Sequence, residues 1–280
     1  MSSDAVSVIT GGAGGMGAAT AALVGRDHTV VLFDIRAQRL ATAKATLEKS
    51  GIAVTAVAGD VTDPRAVADV LAQAADLGSL RSVIHTAGVS PSMGEAEFIV
   101  RTNALGTVTV GEEFFRVAPA GAALVNVASM AAHLLPDTLY PTAAYPKALE
   151  DPEAFTAEAL SACGIGPDEA RPGLAYAISK SFVRWYSTAQ AERFNGRGLR
   201  VLSVSPGSTD TDMGRLEEQA GAGALVVDAA VPRWGTAEEM GELLAFCASS
   251  RVGYLTGTDI LCDGGVVASV SERARRAGGG

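Results

Sequence analysis

Short runs rich in β-branched residues recur along this chain between alanine-rich stretches of helical character, and that alternation limits the fold more than any other feature. The runs are Ala5 to Thr10, Thr29 to Asp34, Ile52 to Ala58, Ser82 to His85, Ala123 to Ala128, Arg200 to Ser205 and Thr258 to Cys262. They read as seven strands. Helical patterns fill most of the gaps, at Met16 to Arg26, Ala37 to Ser50, Pro64 to Leu77, Ala96 to Val117, Ala175 to Phe194 and Ala237 to Ser249. Strand and helix in alternation require right-handed crossovers, hence a parallel sheet covered on both faces. The expectation is an α/β, doubly wound Rossmann fold in one domain over residues 1–280, with ligands at the carboxyl ends of the strands.

Two stretches break the rhythm. From about residue 131 to 173, prolines and scattered acids replace the short connection expected between a strand and its helix, which marks an insertion. Inside it, Asp151 as N-cap, Pro152 in the first turn and Gly164 beyond the end predict one helix over Pro152 to Cys163. The insertion would be either a lid over the site or a surface element that reshapes subunit contacts. Beyond Ala268 the apolar periodicity fades, which predicts a mobile tail over 269–280.

With 48% hydrophobic and 19% charged residues, the chain can bury a large core, and disorder is excluded on composition. Its net charge of −9, without a dense basic stripe, argues against a nucleic-acid partner. No apolar run approaches the ~18 residues of a membrane span. Cys163, Cys247 and Cys262 are odd in number and lack metal-type spacing, so a reducing compartment, the cytoplasm, is expected and no metal site.

The segment Thr10-Gly11-Gly12-Ala13-Gly14-Gly15-Met16-Gly17 lies between the first strand and its helix. Glycines there let backbone N–H groups approach a pyrophosphate at the positive end of a helix. About 20 residues beyond this loop comes Asp34, placed to accept hydrogen bonds from adenosine ribose and to repel a 2′-phosphate. No Lys or Arg lies within the loop, so NAD is favoured over NADP, although Arg36 could modify the preference.

Proton transfer to or from a carbinol oxygen needs an acid/base, and a tyrosine serves only if its pKa falls from ~10, as a nearby ammonium would make it do. Of the five tyrosines, only Tyr176 has a lysine, Lys180, one helical turn on. Ser129 ends the fifth strand at the edge where a substrate belongs. Asn103, a poor helix former inside an apolar helix, would need buried partners such as a backbone carbonyl and an ordered water.

Together these residues resemble the short-chain dehydrogenase/reductase family over almost the whole chain. Thr10 to Gly17 matches its glycine loop, with Gly11, Gly15, Met16 and Gly17 as nucleotide contacts; Asp60 and Val61 match its adenine-contacting pair; Asn103, Ser129, Tyr176 and Lys180 match its catalytic tetrad. The resemblance implies that tyrosine is the acid/base, serine orients the substrate, lysine lowers the phenol pKa and binds nicotinamide ribose, and asparagine holds a relay water. It also implies cofactor contacts from Ala87 and Gly88, and from Pro206, Gly207, Thr209 and Thr211 beside the nicotinamide. Asp263-Gly264-Gly265 resembles the family's terminal turn.

The family's Asn-Asn-Ala-Gly after strand four reads His85-Thr86-Ala87-Gly88 here, so a strand-stabilising contact is missing or replaced, and His85 reads as a satisfied core residue. The connection from Gly88 to Asn103 is short for the family. Ser129 and Tyr176 are unusually far apart because of the insertion. Tyr140 and Tyr145 fall nearer the customary spacing, but neither has a lysine four residues on, and Pro141 and Pro146 disfavour the required helix. This layout is similar to the bacterial 3α-hydroxysteroid dehydrogenase/carbonyl reductase branch. What it implies is NAD(H)-dependent interconversion of a secondary alcohol and a ketone, with a steroid-like or other apolar cyclic substrate, in a homodimer or homotetramer. A non-catalytic NAD(H) sensor and an NAD-using isomerase or dehydratase without net redox change are the alternatives.

Overall fold

Both faces of the strands are apolar because both faces are covered, and the backbone follows from that. In the computed structural model, which describes residues 4–219 and 224–277, seven strands form one parallel sheet. In chain order they are β1 (Ala5–Thr10), β2 (Thr29–Asp34), β3 (Val54–Ala58), β4 (Ser79–His85), β5 (Ala123–Val127), β6 (Arg200–Pro206) and, after a short ribbon of β7 (Thr209–Asp210) and β8 (Gly235–Thr236), β9 (Asp259–Cys262). The sheet order is β3-β2-β1-β4-β5-β6-β9. Val31 and Phe33 feed the core on one face, while Val30 and Leu32 feed the core on the other, as the two-residue period of a strand requires. The strand order reverses between β1 and β4, whose last paired residues are Thr10 and His85, and a ligand crevice opens at such a point.

The covering helices are α1 (Gly15–Val24), α2 (Ala37–Lys49), α3 (Pro64–Leu77), α4 (Ala96–Val100), α5 (Gly106–Val117), α6 (Pro152–Ala162), α7 (Arg171–Ala189), α8 (Ala191–Asn195), α9 (Asp212–Glu217), α10 (Ala224–Asp228), α11 (Ala237–Ala248) and α12 (Val266–Ala277). Most expected boundaries hold within a few residues, and two expectations do not. The single helix over Ala96 to Val117 is interrupted by a π-helical turn at Arg101–Leu105, centred on Asn103. The mobile tail over 269–280 is replaced by α12 as far as Ala277, and 278–280 lie outside the described residues. The Asp263 carboxylate accepts hydrogen bonds from the amides of Gly265 and Val267, both at 2.8 Å, and so organises the start of that helix. Glu272 pairs with Arg275 and Arg276, both at 2.8 Å, one turn on, which adds support to the helix.

The insertion holds a 3-10 helix, Thr142–Leu149, followed by α6. Asp151 caps α6 by accepting from Ala154 N at 3.0 Å, the role its position predicts. Tyr145 and Phe155 are fully buried and pack against Phe182 of α7, edge-on and tilted, at centroid distances of 5.4 and 5.0 Å. Phe182 sits ~200° around α7 from Lys180 at ~100° per residue, so the insertion covers the face of α7 that points away from Tyr176 and Lys180. Of the two roles open to the insertion, the middle of it occupies a helix face, and only its ends reach the cavity described below. Among the described residues no helix is long and apolar enough to cross a membrane.

Candidate active site

β1 ends at Thr10 and the chain turns sharply at Gly11, whose φ is +65°; a Cβ there would stand 2.7 Å from the amide nitrogen of Ala87. Only glycine lets the β1 and β4 loops approach so closely. A Cβ on Gly15 would meet the Thr211 methyl at 2.7 Å, so the loop also abuts the segment after β6. The first intrahelical bond of α1 runs from Ala18 N to Gly14 O, which leaves the amides of Gly15, Met16 and Gly17 without an intrahelical acceptor. They border a cleft of about 120 Å³ lined also by Arg36 and Thr211. Amides at a helix's positive end suit a phosphate.

Asp34, the last residue of β2, is buried beside this loop. Its carboxylate accepts from Ala13 N at 3.3 Å and from Arg36 N at 3.0 Å. Asp60 follows the neighbouring strand, β3, where it accepts from the amide and hydroxyl of Thr62, both at 2.8 Å, and Val61 is buried next to it.

Tyr176 and Lys180 share one face of α7, and Ser129 follows β5. Tyr176 and Ser129 line the same cavity, where the Ser129 hydroxyl acts on the phenol, and Ser129 Oγ accepts from Ala131 N at 3.2 Å. The Lys180 ammonium donates to Val127 O at 2.9 Å and stands 5.8 Å from the Tyr176 ring centroid. Here the expectation of a depressed phenol pKa is corrected. Packing of protein around the phenol pushes it up, and Glu217 adds to the rise, while the Ser129 hydroxyl offsets only part. Burial lowers the Lys180 pKa to about 8.

Asn103 completes the set from behind. Its amide brackets Val89, accepting from Val89 N at 2.9 Å and donating to Val89 O at 3.0 Å, and it donates also to Ser179 Oγ at 3.1 Å. A Cβ on Gly88 would lie 3.0 Å from Asn103 Oδ1 and 3.3 Å from Lys180 Nζ, so these side chains flank the Gly88 turn. The π turn widens the helix where this amide must reach the β4 loop.

Tyr176, Ser129 and Lys180 line a cavity of about 310 Å³. It shares Met16, Thr86, Thr211 and Met213 with the glycine cleft, so the two form one continuous groove. Residues 5–143 match the family model described as short chain dehydrogenase, and residues 143–267 match one described as enoyl-(acyl carrier protein) reductase. Over 266 residues the chain is 31% identical to the short-chain dehydrogenase/reductase bsc3 of Alternaria brassicicola, covering 93% of this chain and 95% of that one. The chain belongs to the short-chain dehydrogenase/reductase family. This places it among oxidoreductases that use a nicotinamide dinucleotide. It is also similar to the 3-alpha-hydroxysteroid dehydrogenase/carbonyl reductase of Comamonas testosteroni, 28% identical over 92% of this chain and 95% of that protein. Among solved structures it resembles a short-chain dehydrogenase from Burkholderia cenocepacia J2315 in complex with NADP, with a TM-score of 0.74 and 24% identity over 94% of this chain and 98% of that one.

For a short-chain dehydrogenase/reductase, the site is assembled from most of the residues its motifs single out. Pro206, Gly207, Thr209 and Thr211 line the cavity with Gly88 and Met16, whereas Asn103, Asp34, Asp60, Val61 and Ala87 stand behind or beside it. Where the family has a strand-stabilising asparagine, two side chains tie β4 to β1 here: Thr86 Oγ1 donates to Thr10 O at 2.8 Å, and His85 Nδ1 meets Thr10 Oγ1 at 2.7 Å. Tyr140 and Tyr145 are structural, with their hydroxyls donating to Ala131 O at 3.1 Å and to Ile178 O at 3.4 Å. Sequence reasoning missed Trp234 and Glu217, which reach the cavity from segments with no fixed spacing to Tyr176.

Proposed function

We propose that this protein is an NAD(H)-dependent oxidoreductase that interconverts a secondary alcohol and a ketone, with Tyr176 as general acid/base. The observation that carries this reading is the convergence of Ser129, Tyr176 and Lys180 on one mostly apolar cavity continuous with the glycine cleft.

The residues present fit a dinucleotide: the amides of Gly15 to Gly17 suit its pyrophosphate, Asp34 its adenosine ribose, Asp60 and Val61 its adenine, and Gly88, Pro206, Gly207, Thr209 and Thr211 its nicotinamide end. Bound there, the dinucleotide supplies the hydride acceptor for oxidation and the donor for reduction. Asp34 favours NAD because its carboxylate, fixed by two backbone amides, would face a 2′-phosphate as a like charge.

Ser129 holds the substrate oxygen, and Tyr176 Oη takes the alcohol proton in oxidation or returns it in reduction. Lys180, held by Val127 O, keeps a positive charge beside the phenol and binds nicotinamide ribose. Asn103 acts as a positioning residue, fixing the Val89 backbone next to the Gly88 turn. Apolar walls such as Met130, Leu134 and Trp234 suit a cyclic substrate, and the hydroxysteroid-active relative supports one. We place its work in the cytoplasm, as a homodimer or homotetramer.

Tyr176→Phe tests the assignment. NADH binding, followed by fluorescence, should stay near the wild-type value while turnover of cyclic alcohols falls by ~10²–10⁴-fold. Wild-type turnover in that variant would overturn the acid/base role, and NADPH binding well ahead of NADH would overturn the role of Asp34.

A further inference from the structure

The cavity contains a charge that neither the glycine loop nor the catalytic set explains. Lys180 and Glu217 are its only charged lining residues among those described, and Lys180 is engaged by Val127 O. Glu217 closes α9. Its Oε1 accepts from Ser92 N at 3.1 Å, which ties α9 to the 3-10 turn Pro91–Met93 and fixes the carboxylate at the wall. No other hydrogen bond reaches this carboxylate among the described residues. Its field extends to the reacting centre, where it pushes the Tyr176 phenol up. The cavity walls include the apolar Met130, Leu134, Met213, Leu225 and Trp234, and Glu217 makes no ion pair among the described residues.

A carboxylate with open lone pairs on an apolar wall accepts hydrogen bonds from a ligand and repels a second anion. We infer that Glu217 is a specificity-determining residue: it accepts a hydrogen bond from a second hydroxyl of a neutral alicyclic alcohol or ketone, and it turns away substrates that carry a carboxylate. This rests on the reading of the cavity as the seat of alcohol–ketone interconversion. It deepens that reading by adding a polar requirement to an otherwise apolar ring.

Three ring alcohols of similar size make the test: cyclohexane-1,4-diol, 4-methylcyclohexanol and 4-hydroxycyclohexanecarboxylate. Their affinities for the enzyme–NADH complex are read by NADH fluorescence, and their oxidation by NADH formation from NAD. The diol should bind tightest and the carboxylate at least ~10-fold more weakly. Glu217→Gln, which keeps the size and an acceptor oxygen, should recover roughly 10-fold or more for the carboxylate and leave the diol within about threefold. Equal binding of diol and carboxylate, or an unchanged ratio in Glu217→Gln, overturns the inference while leaving the reaction assignment intact. Selective binding of the diol without any oxidation sustains the role of Glu217 and overturns the oxidoreductase reading. Failure of all three to bind overturns the alicyclic class and this inference with it.

Discussion

The Lys180 ammonium donates its 2.9 Å hydrogen bond to the carbonyl of Val127, 53 residues away in sequence, and not to Tyr176 one turn earlier on its own helix. Helical spacing brings lysine and tyrosine to one face, but the sheet edge decides where the ammonium is held. The cost is desolvation, since the side chain is only 6% exposed and its pKa falls to about 8.

That cost predicts a pH dependence with a definite sign. Between about pH 8 and the ordinary lysine value of 10.5, the unfolded chain retains a proton that the folded protein has released. Stability attributable to Lys180 is therefore complete above the unfolded value and is lost as pH falls toward 8. Relative to Lys180→Met, wild type in the absence of nucleotide should gain on the order of 3 kcal/mol from about pH 7 to about pH 10.5. Urea unfolding of both proteins across that range measures it, and parallel curves would contradict the burial argument.

Local chemistry made the glycine loop, Asp34 and the Tyr176–Lys180 pair legible in the sequence, because each depends on neighbours within a loop or a helical turn. The periods of strand and helix likewise brought the sheet and its covering helices into view. What stayed hidden depends on chain closure. Asn103 could be seen as an anomaly in a helix, but its bracketing of Val89 and the accompanying π turn need the β4 loop in place. Thr142–Leu149 is helical despite Pro146 because Tyr145 is anchored against α7. The α12 segment looked like a tail because its order comes from Asp263 capping, charge pairs and packing against α10, which need the folded chain in place. Glu217 carries no motif at all, and only the fold-over of α9 brings it to Tyr176.

His85 should make the protein acid-sensitive. It is fully enclosed between Thr10 Oγ1 at 2.7 Å and Thr107 Oγ1 at 3.2 Å, and burial, reinforced by the charge of Lys180, lowers its pKa to about 3. An unfolded histidine binds its proton near 6.5, so the stability it contributes is present above that value and is lost as pH falls toward 3. Wild type should lose about 1.4 kcal/mol per pH unit below about pH 6 relative to His85→Asn. Chemical denaturation over the range from about pH 7 to about pH 4 reads the difference. A constant offset between the two proteins would show that His85 takes up a proton without unfolding.

Phe155→Ala tests one of the two roles open to the insertion, that of a lid, and leaves the subunit-contact role untouched. The ring is completely buried between Tyr145 and Phe182, at centroid distances of 6.3 and 5.0 Å, so its removal leaves a cavity in a joint between α6 and α7. The expected loss is about 3–5 kcal/mol of unfolding free energy. NADH affinity at a temperature where the variant is folded should remain that of wild type, since this joint lies on the side of α7 opposite Lys180. A hinged lid would give the reverse pattern, with ligand affinity altered and unfolding hardly affected, because a lid must part from its bed at modest cost. The dense aromatic contact with α7 makes parting costly, and it is this contact that favours a fixed buttress over a moving cover.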